Sequence, residues 1–146
     1  MKIAIGSDHA GFKLKEEIKK FLEEKGIEVV DFGTNSEERV DYPDYAIPLA
    51  ESVAKGEETF GILICGTGIG MSIAANKVKG IRASLVSDVY SAHSAREHNN
   101  ANILCMGGRV LGTELAKEIT NAWLNAEFLG GRHERRINKI AEYEDK

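Results

Sequence analysis

Apolar positions along this chain fall into two alternating rhythms. Lys2 to Gly6 is a short apolar run closed by glycine, the pattern of a buried strand. From Phe12, the residues Leu14, Ile18, Phe21 and Leu22 recur at helical spacing among Lys and Glu until Gly26 ends the pattern. That spacing predicts a surface helix with one buried stripe. The alternation then repeats. Glu28 to Asp31 reads as a strand, a polar loop runs through Pro43, Tyr45 to Ala54 reads as a helix, and Thr59 to Cys65 is the most apolar strand. Gly66-Thr67-Gly68-Ile69-Gly70 opens a helix toward Lys77, Ile81 to Val86 is a strand, and Val89 to Glu97 a helix. Asn102 to Met106 is the last strand, followed by helices over Glu114 to Leu124 and Glu134 to Glu142.

Strands alternating with helices over the whole length predict an α/β fold with a parallel sheet covered on both faces. The expectation is a Rossmann-like three-layer sandwich with a five-stranded parallel sheet and an extra C-terminal helix, as one domain over residues 1–146. In such sheets ligands bind beyond the carboxyl ends of the strands, near the switch in strand order. The strand ends are followed by Asp8-His9, Cys65-Gly66-Thr67-Gly68, Ser87-Asp88 and Gly107-Gly108-Arg109. Chemistry is expected there.

Composition narrows the classes of function. With 42% hydrophobic and 29% charged residues in 146, the chain can build a core and is not a disordered one. A net charge of -4 and a pI near 5.6 give no overall field that would draw it onto nucleic acid. The basic residues are nonetheless uneven, since Arg132, Arg135 and Arg136 gather around His133. No run approaches the length of a membrane span, and the chain enters Ile3-Ala4-Ile5 without a signal-peptide pattern, so a cytoplasmic protein is expected. Cys65 and Cys105 each close an apolar run and make no disulfide framework; both are read as reduced thiols.

The strongest local signal is the glycine-rich turn after Cys65. Three glycines in a strand-loop-helix turn let backbone N–H groups face an anion. A thiol beside a helix N-terminus is favoured as thiolate and can act as base or nucleophile. The alternative is a buried strand cysteine and a turn that merely packs. The spacing matches neither the dinucleotide fingerprint nor the phosphate loop of nucleotide-binding proteins. Asp8 and His9 follow the first strand closely enough to reach a polar ligand. No H-x-x-x-H or C-x-x-C spacing makes a zinc site. His93 falls inside a helix as ordinary surface, whereas His98 is either functional or a helix C-cap. Arg132 and Arg136, four apart, share one helix face that suits a phosphate dianion, or is simply a solvated face. Trp123, Ile119 and Leu115 share a stripe expected in the core, as does Cys105 between Leu104 and Met106.

Taken together, G-S-D-H-A-G, D-Y-P-D-Y-A, I-C-G-T-G-I-G, A-N-K, G-I-R-A, R-x-H-N, G-x-R-V-x-G and G-G-R-H-x-x-R run in order along essentially the whole chain. They resemble the ribose-5-phosphate isomerase B family, which also holds galactose-6-phosphate isomerase subunits. The resemblance implies an aldose-ketose isomerase without cofactor or metal, interconverting D-ribose 5-phosphate and D-ribulose 5-phosphate through an enediolate. It implies that Cys65 takes the proton beside the carbonyl while Gly66, Thr67, Gly68, Ile69 and Gly70 cradle the enediolate, with the Thr67 hydroxyl holding or relaying. It implies that His98, with Asn99 beside it, helps open the furanose ring, that Asp8 contacts sugar oxygens, and that His9, Arg109, Arg132 and Arg136 contact the phosphate. The family's dimers build each site from both chains, so His98, Asn99 and Arg109 are expected to face the partner's Cys65. A homodimer is expected, with a dimer of dimers as a further assembly. Some members replace the cysteine with a glutamate further along the loop helix; here Ser72, Ile73 and Ala74 carry no acid, which places the chain with the cysteine type. Isomerisation of allose or galactose 6-phosphate is the alternative within the family, and a phosphate-ligand binding module without catalysis the alternative outside it.

Overall fold

A computed structural model describes residues 1–146. Its elements follow the predicted alternation: β1 (Lys2–Ser7), α1 (Phe12–Glu24), β2 (Glu28–Asp31), α2 (Pro43–Ala54), β3 (Phe60–Cys65), α3 (Ile69–Ala75), β4 (Ala83–Leu85), α4 (Val89–Glu97), β5 (Ile103–Gly107), α5 (Thr113–Asn125) and α6 (Arg132–Glu144). All strand pairs are parallel, in the order β2-β1-β3-β5-β4. The sheet is buried on both faces, which is why its central strands read as continuous apolar runs. On one face Ile3, Ile5, Ile62, Ile64, Leu104 and Met106 pack against Leu14, Ile18 and Leu22 of α1, Ala92 and Ala95 of α4, and Ile119 and Trp123 of α5. On the other, Ala4, Leu63, Cys65, Ile103 and Cys105 pack against α2 and α3 through Leu49, Val53, Met71 and Ala75. The three layers are those expected of the alternation.

Two local expectations fail for physical reasons. The fourth strand has three residues instead of six, because the preceding backbone is bonded by side chains: Asn102 Oδ1 accepts from Arg82 N–H at 2.8 Å, and Asn76 accepts from Ala83 N–H and donates to Ala83 C=O. Leu115 is 39% exposed. Ala116 takes the buried position beside Ile119 and Trp123, so the stripe is rotated by one residue. Trp123 itself is fully buried, edge-on to Phe60 at 5.0 Å. The C-terminal helix α6 buries only His133 and meets the sandwich at both ends, where His133 stacks on His98 and Glu144 accepts from Gly80 N–H at 2.9 Å. No helix is long and apolar enough to cross a membrane.

A candidate active site in two halves

The strand order places β3 between β1 and β5, so the loops leaving their carboxyl ends meet. Gly108 N–H donates to Cys65 C=O at 2.8 Å, Arg109 N–H to Gly66 C=O at 3.0 Å, and Asp8 N–H to Ile64 C=O at 3.2 Å. Two glycines allow this closeness. A Cβ on Gly11 would run into the Ile64 carbonyl, and Gly68 has φ +83° with the Met106 backbone 2.9 Å from where its Cβ would be. In this position only glycine meets both the left-handed backbone and the contact.

Where these loops meet, Cys65, 5% exposed, accepts a hydrogen bond at Sγ from Gly68 N–H at 3.2 Å. The other thiol, Cys105, lies fully buried on the same face of the sheet, and burial pushes it far up from its ordinary value, so it stays protonated. Thr67 Oγ1 accepts from Ile69 N–H at 3.2 Å, which turns the hydroxyl back onto the glycine loop. The amides of Gly70 and its neighbours open α3 and have no intrahelical partner, as in any first turn. Asp8 is 7% exposed; its Oδ1 accepts from Ala10 N–H at 3.0 Å and Gly11 N–H at 3.1 Å, and Oδ2 is unused within the chain. His9 Nδ1 accepts from Val40 N–H at 3.2 Å, which assigns the ring proton to Nε2, where it can be donated to a ligand.

Arg109 belongs to this half. Its Cδ and Nη1 lie 3.6 and 3.7 Å from where a Gly66 Cβ would be, so its side chain lies over the loop of its own Cys65. This corrects the expectation that Arg109 faces the partner's cysteine. The cause is the pairing of β3 with β5, which puts Cys65 opposite Gly107.

The remaining predicted residues lie elsewhere. The helix α4 runs back from the carboxyl end of β4, and His98 caps its far end. Asn102, four residues on, bonds to Gly61 and Arg82 at the amino ends of the strands. His98 and Asn99 are therefore separated from Cys65 of the same chain by the length of the sheet, roughly 15–20 Å for a strand of five or six residues. The His98 ring stacks on His133 of α6, with centroids 4.3 Å apart and planes 11° from parallel. Burial, then the positive surroundings of His98, Arg132 and Arg136, lowers the His133 pKa, so this imidazole is neutral at neutral pH. Arg132 and Arg136 flank it, exposed and in no ion pair. Arg135 lines a different groove with Glu134 and Glu142, as the helical spacing predicts.

One residue of the first half escapes the sequence reading. The Tyr42 ring lies 2.7 Å from where a Gly70 Cβ would be, so it closes over the glycine loop. Its 28-residue separation from Gly70 leaves no local spacing to reveal it. Around the loop, Ile69, Ile73, Leu85 and Tyr42 form an apolar rim that is 38–56% exposed.

Comparison with known proteins finds relatives over nearly the whole chain. Residues 3–140 match the family described as Ribose/Galactose Isomerase. Ribose-5-phosphate isomerase B of Escherichia coli (strain K12) is 56% identical over 145 residues, 99% of this chain and 97% of that protein. The structure of Clostridium thermocellum ribose-5-phosphate isomerase B superposes with a TM-score of 0.98 at 57% identity, covering 99% of this chain and 98% of the other. Ribose-5-phosphate isomerase B of Mycoplasma genitalium, solved with bound ribulose-5-phosphate, has a TM-score of 0.96 at 46% identity, covering 99% and 97%. With a family match spanning nearly the whole chain and relatives above one-half identity, this protein belongs to the Ribose/Galactose Isomerase family.

Proposed function

We propose that this chain interconverts D-ribose 5-phosphate and D-ribulose 5-phosphate, in a homodimer whose sites each draw on both chains. The observation that carries the reading is the Cys65 sulfur, nearly buried at the carboxyl end of β3 and facing the Gly68 N–H. The hard step is removal of a weakly acidic C2 proton while negative charge grows on the neighbouring oxygen. The Cys65 thiolate takes that proton, and preorganised loop amides stabilise the enediolate, each such donor contributing about 3 to 4 kcal/mol in well-studied sites. The proton returns to C1, and the hydroxyl proton at O2 passes to O1, with the Thr67 hydroxyl placed to relay it. Asp8 Oδ2 is free to accept from a sugar hydroxyl, and His9 Nε2–H and Arg109 are placed for the phosphate.

The dimer follows from the division of the site. Cys65 and His98 lie at opposite ends of one sheet, so the same substrate meets both only if a second copy brings its helical end to the crevice. The partner's His98 and the partner's Asn99 then act on the ring oxygen, and the partner's Arg132 and the partner's Arg136 join Arg109 at the phosphate. The exposed rim of Ile69, Ile73, Leu85 and Tyr42 offers the apolar surface such a contact buries.

The test is ketose formation from D-ribose 5-phosphate by wild type, Cys65→Ala, His98→Asn and an equimolar mixture of the two variants after subunit exchange. Cys65→Ala is expected to lose at least about 10³-fold in kcat and His98→Asn less. Random pairing makes half of the dimers mixed, each with one intact site, so the mixture should recover about one quarter of wild-type activity. A mixture no more active than the mean of its components would refute the shared site. Faster turnover of six-carbon than five-carbon phosphates by wild type would overturn the choice of substrate.

A further inference from the structure

Asn100 is the only non-glycine residue with positive φ, at 46°, and it directly follows His98 and Asn99. Left-handed backbone at a residue with a side chain persists where its surroundings over-determine it. Here the surroundings are two arginines from different elements. Arg82 Nε donates to the Asn100 carbonyl at 2.9 Å, and Arg96 Nη1 donates to Asn100 Oδ1 at 3.0 Å and to Ala101 C=O at 2.6 Å. Asn100 N–H completes the loop by donating to Arg96 C=O at 3.2 Å. Each arginine is itself fixed. Arg96 is 9% exposed with its guanidinium over the Phe60 ring at 4.4 Å, and Asn102 holds the Arg82 backbone through its own N–H and its Oδ1.

Neither guanidinium forms an ion pair, and both are held where burial disfavours their charge. A turn that only had to join α4 to β5 would not need two guanidinium groups converging on one neutral residue, one of them, Arg96, buried at a cost in free energy. What the arrangement achieves is placement. With the Asn100 peptide pinned at its carbonyl, amide and side chain, the preceding His98 and Asn99 have little freedom, and the His133 ring closes the other side of His98.

We infer that Arg82 and Arg96 are positioning residues for the ring-opening half of the site, clamping Asn100 so that His98 and Asn99 are presented in one geometry. The inference rests on the isomerase reading above and deepens it. It also accounts for the arginines of G-I-R-A and R-x-H-N, to which the chemistry at Cys65 gives no task. Misplacing an acid-base group by about 1 Å can cost on the order of 10²-fold in rate.

The substrate pair provides the test. D-Ribulose 5-phosphate cannot close to a furanose, because the hydroxyl that would attack its ketone carries the phosphate, whereas D-ribose 5-phosphate must be opened. Exchange of the ribulose C1 proton with deuterium oxide, followed by NMR, therefore reports the Cys65 step without ring opening. Arg82→Met and Asn100→Gly are each expected to lower turnover of ribose 5-phosphate by about tenfold while leaving the exchange within about twofold of wild type. Glycine keeps the left-handed backbone, so Asn100→Gly tests the clamp even if Arg82→Met fails to fold. Asn100→Asp retains both acceptors and should stay near wild type. Equal losses in turnover and exchange, or no loss in either variant, would overturn the clamp. Absence of exchange in wild type itself would strike the isomerase reading, a separate outcome.

Discussion

The two halves of the site are built in opposite ways. At the carboxyl ends of the strands, Asp8 and Cys65 are nearly buried and their loops bond to one another through main-chain atoms. At the other end, Arg132 and Arg136 are exposed on a helix that buries one residue, and only the His98 turn is tightly held. On the proposed mechanism the difference follows from what each half must do. Proton transfer from carbon needs donors placed to a fraction of an ångström, which a packed sheet supplies. Holding a phosphate dianion tolerates mobile guanidinium groups, and those groups must remain exposed if a second chain is to meet them.

The largest way to break this contrast is to attack the packed half through its backbone. Gly11→Ala puts a methyl group against the Ile64 carbonyl, in the loop that carries Asp8. Because the obstacle is main chain rather than a flexible side chain, the loop or the strand must move, at an expected cost of about 3 kcal/mol. Denaturant unfolding should show that loss together with a fall in isomerase activity. An unchanged midpoint and unchanged activity would mean that the three loops are not locked as described.

A smaller effect is expected where an ion pair supports the same end. Lys15 is fully buried and donates to both oxygens of Asp31 at 2.8 Å; Asp31 also accepts from Lys19 and from Gly33 N–H. Gly33 in turn accepts from Ser7 N–H, beside Asp8. Burial works against the Asp31 charge, but the hydrogen bond from Lys15, that from Gly33 and the nearby ammonium groups outweigh it and hold the carboxyl below its ordinary value. A depressed folded value means the stabilisation is present above the unfolded pKa, about 3.9, and is lost as pH falls through the folded one. Asp31→Asn should therefore cost about 2 kcal/mol at neutral pH, less than the 3 to 5 typical of a fully buried pair because Asp31 keeps some contact with water. The gap between wild type and variant should close below about pH 3 to 4. A gap that stayed constant down to pH 2 would remove the ion pair from the account.

How much of this was legible in the sequence follows the same division. The sheet, its helices and the crevice with Asp8, His9 and the loop from Cys65 to Gly70 are encoded locally, by apolar runs that end in glycine. Neighbours in space but not in sequence are less visible. The adjacency of β3 and β5 moved Arg109 to its own chain's cysteine, and no local pattern announced Tyr42 over Gly70 or Arg82 on Asn100. In sequence His98 is a helix end with two readings open, and only the direction of α4 shows that it lies across the sheet from Cys65. The arginines of α6 read in sequence as a charge cluster with two meanings, and only the fold sets them beside His133 and the His98 ring stacked on it.

The smallest expected effect is the most selective. Arg136 lies in the exposed half and makes no ion pair or side-chain hydrogen bond within its own chain, so its removal leaves nothing buried unsatisfied and the unfolding midpoint of Arg136→Ala should match wild type. If it serves the phosphate of a substrate held by the partner's crevice, the interaction is made equally with ribose 5-phosphate and with the enediolate, because the phosphate takes no part in the reaction. Uniform binding of that kind sets KM and leaves kcat alone. The loss of one guanidinium of several on the dianion should raise KM by about tenfold, about 1.4 kcal/mol, with kcat within about twofold. The dependence on ionic strength should weaken as well, since an exposed charge acts through a screened field. A fall in kcat at constant KM would instead place Arg136 with the groups that meet the reacting carbons, and the contrast between tightly packed groups for chemistry and exposed groups for holding would be lost.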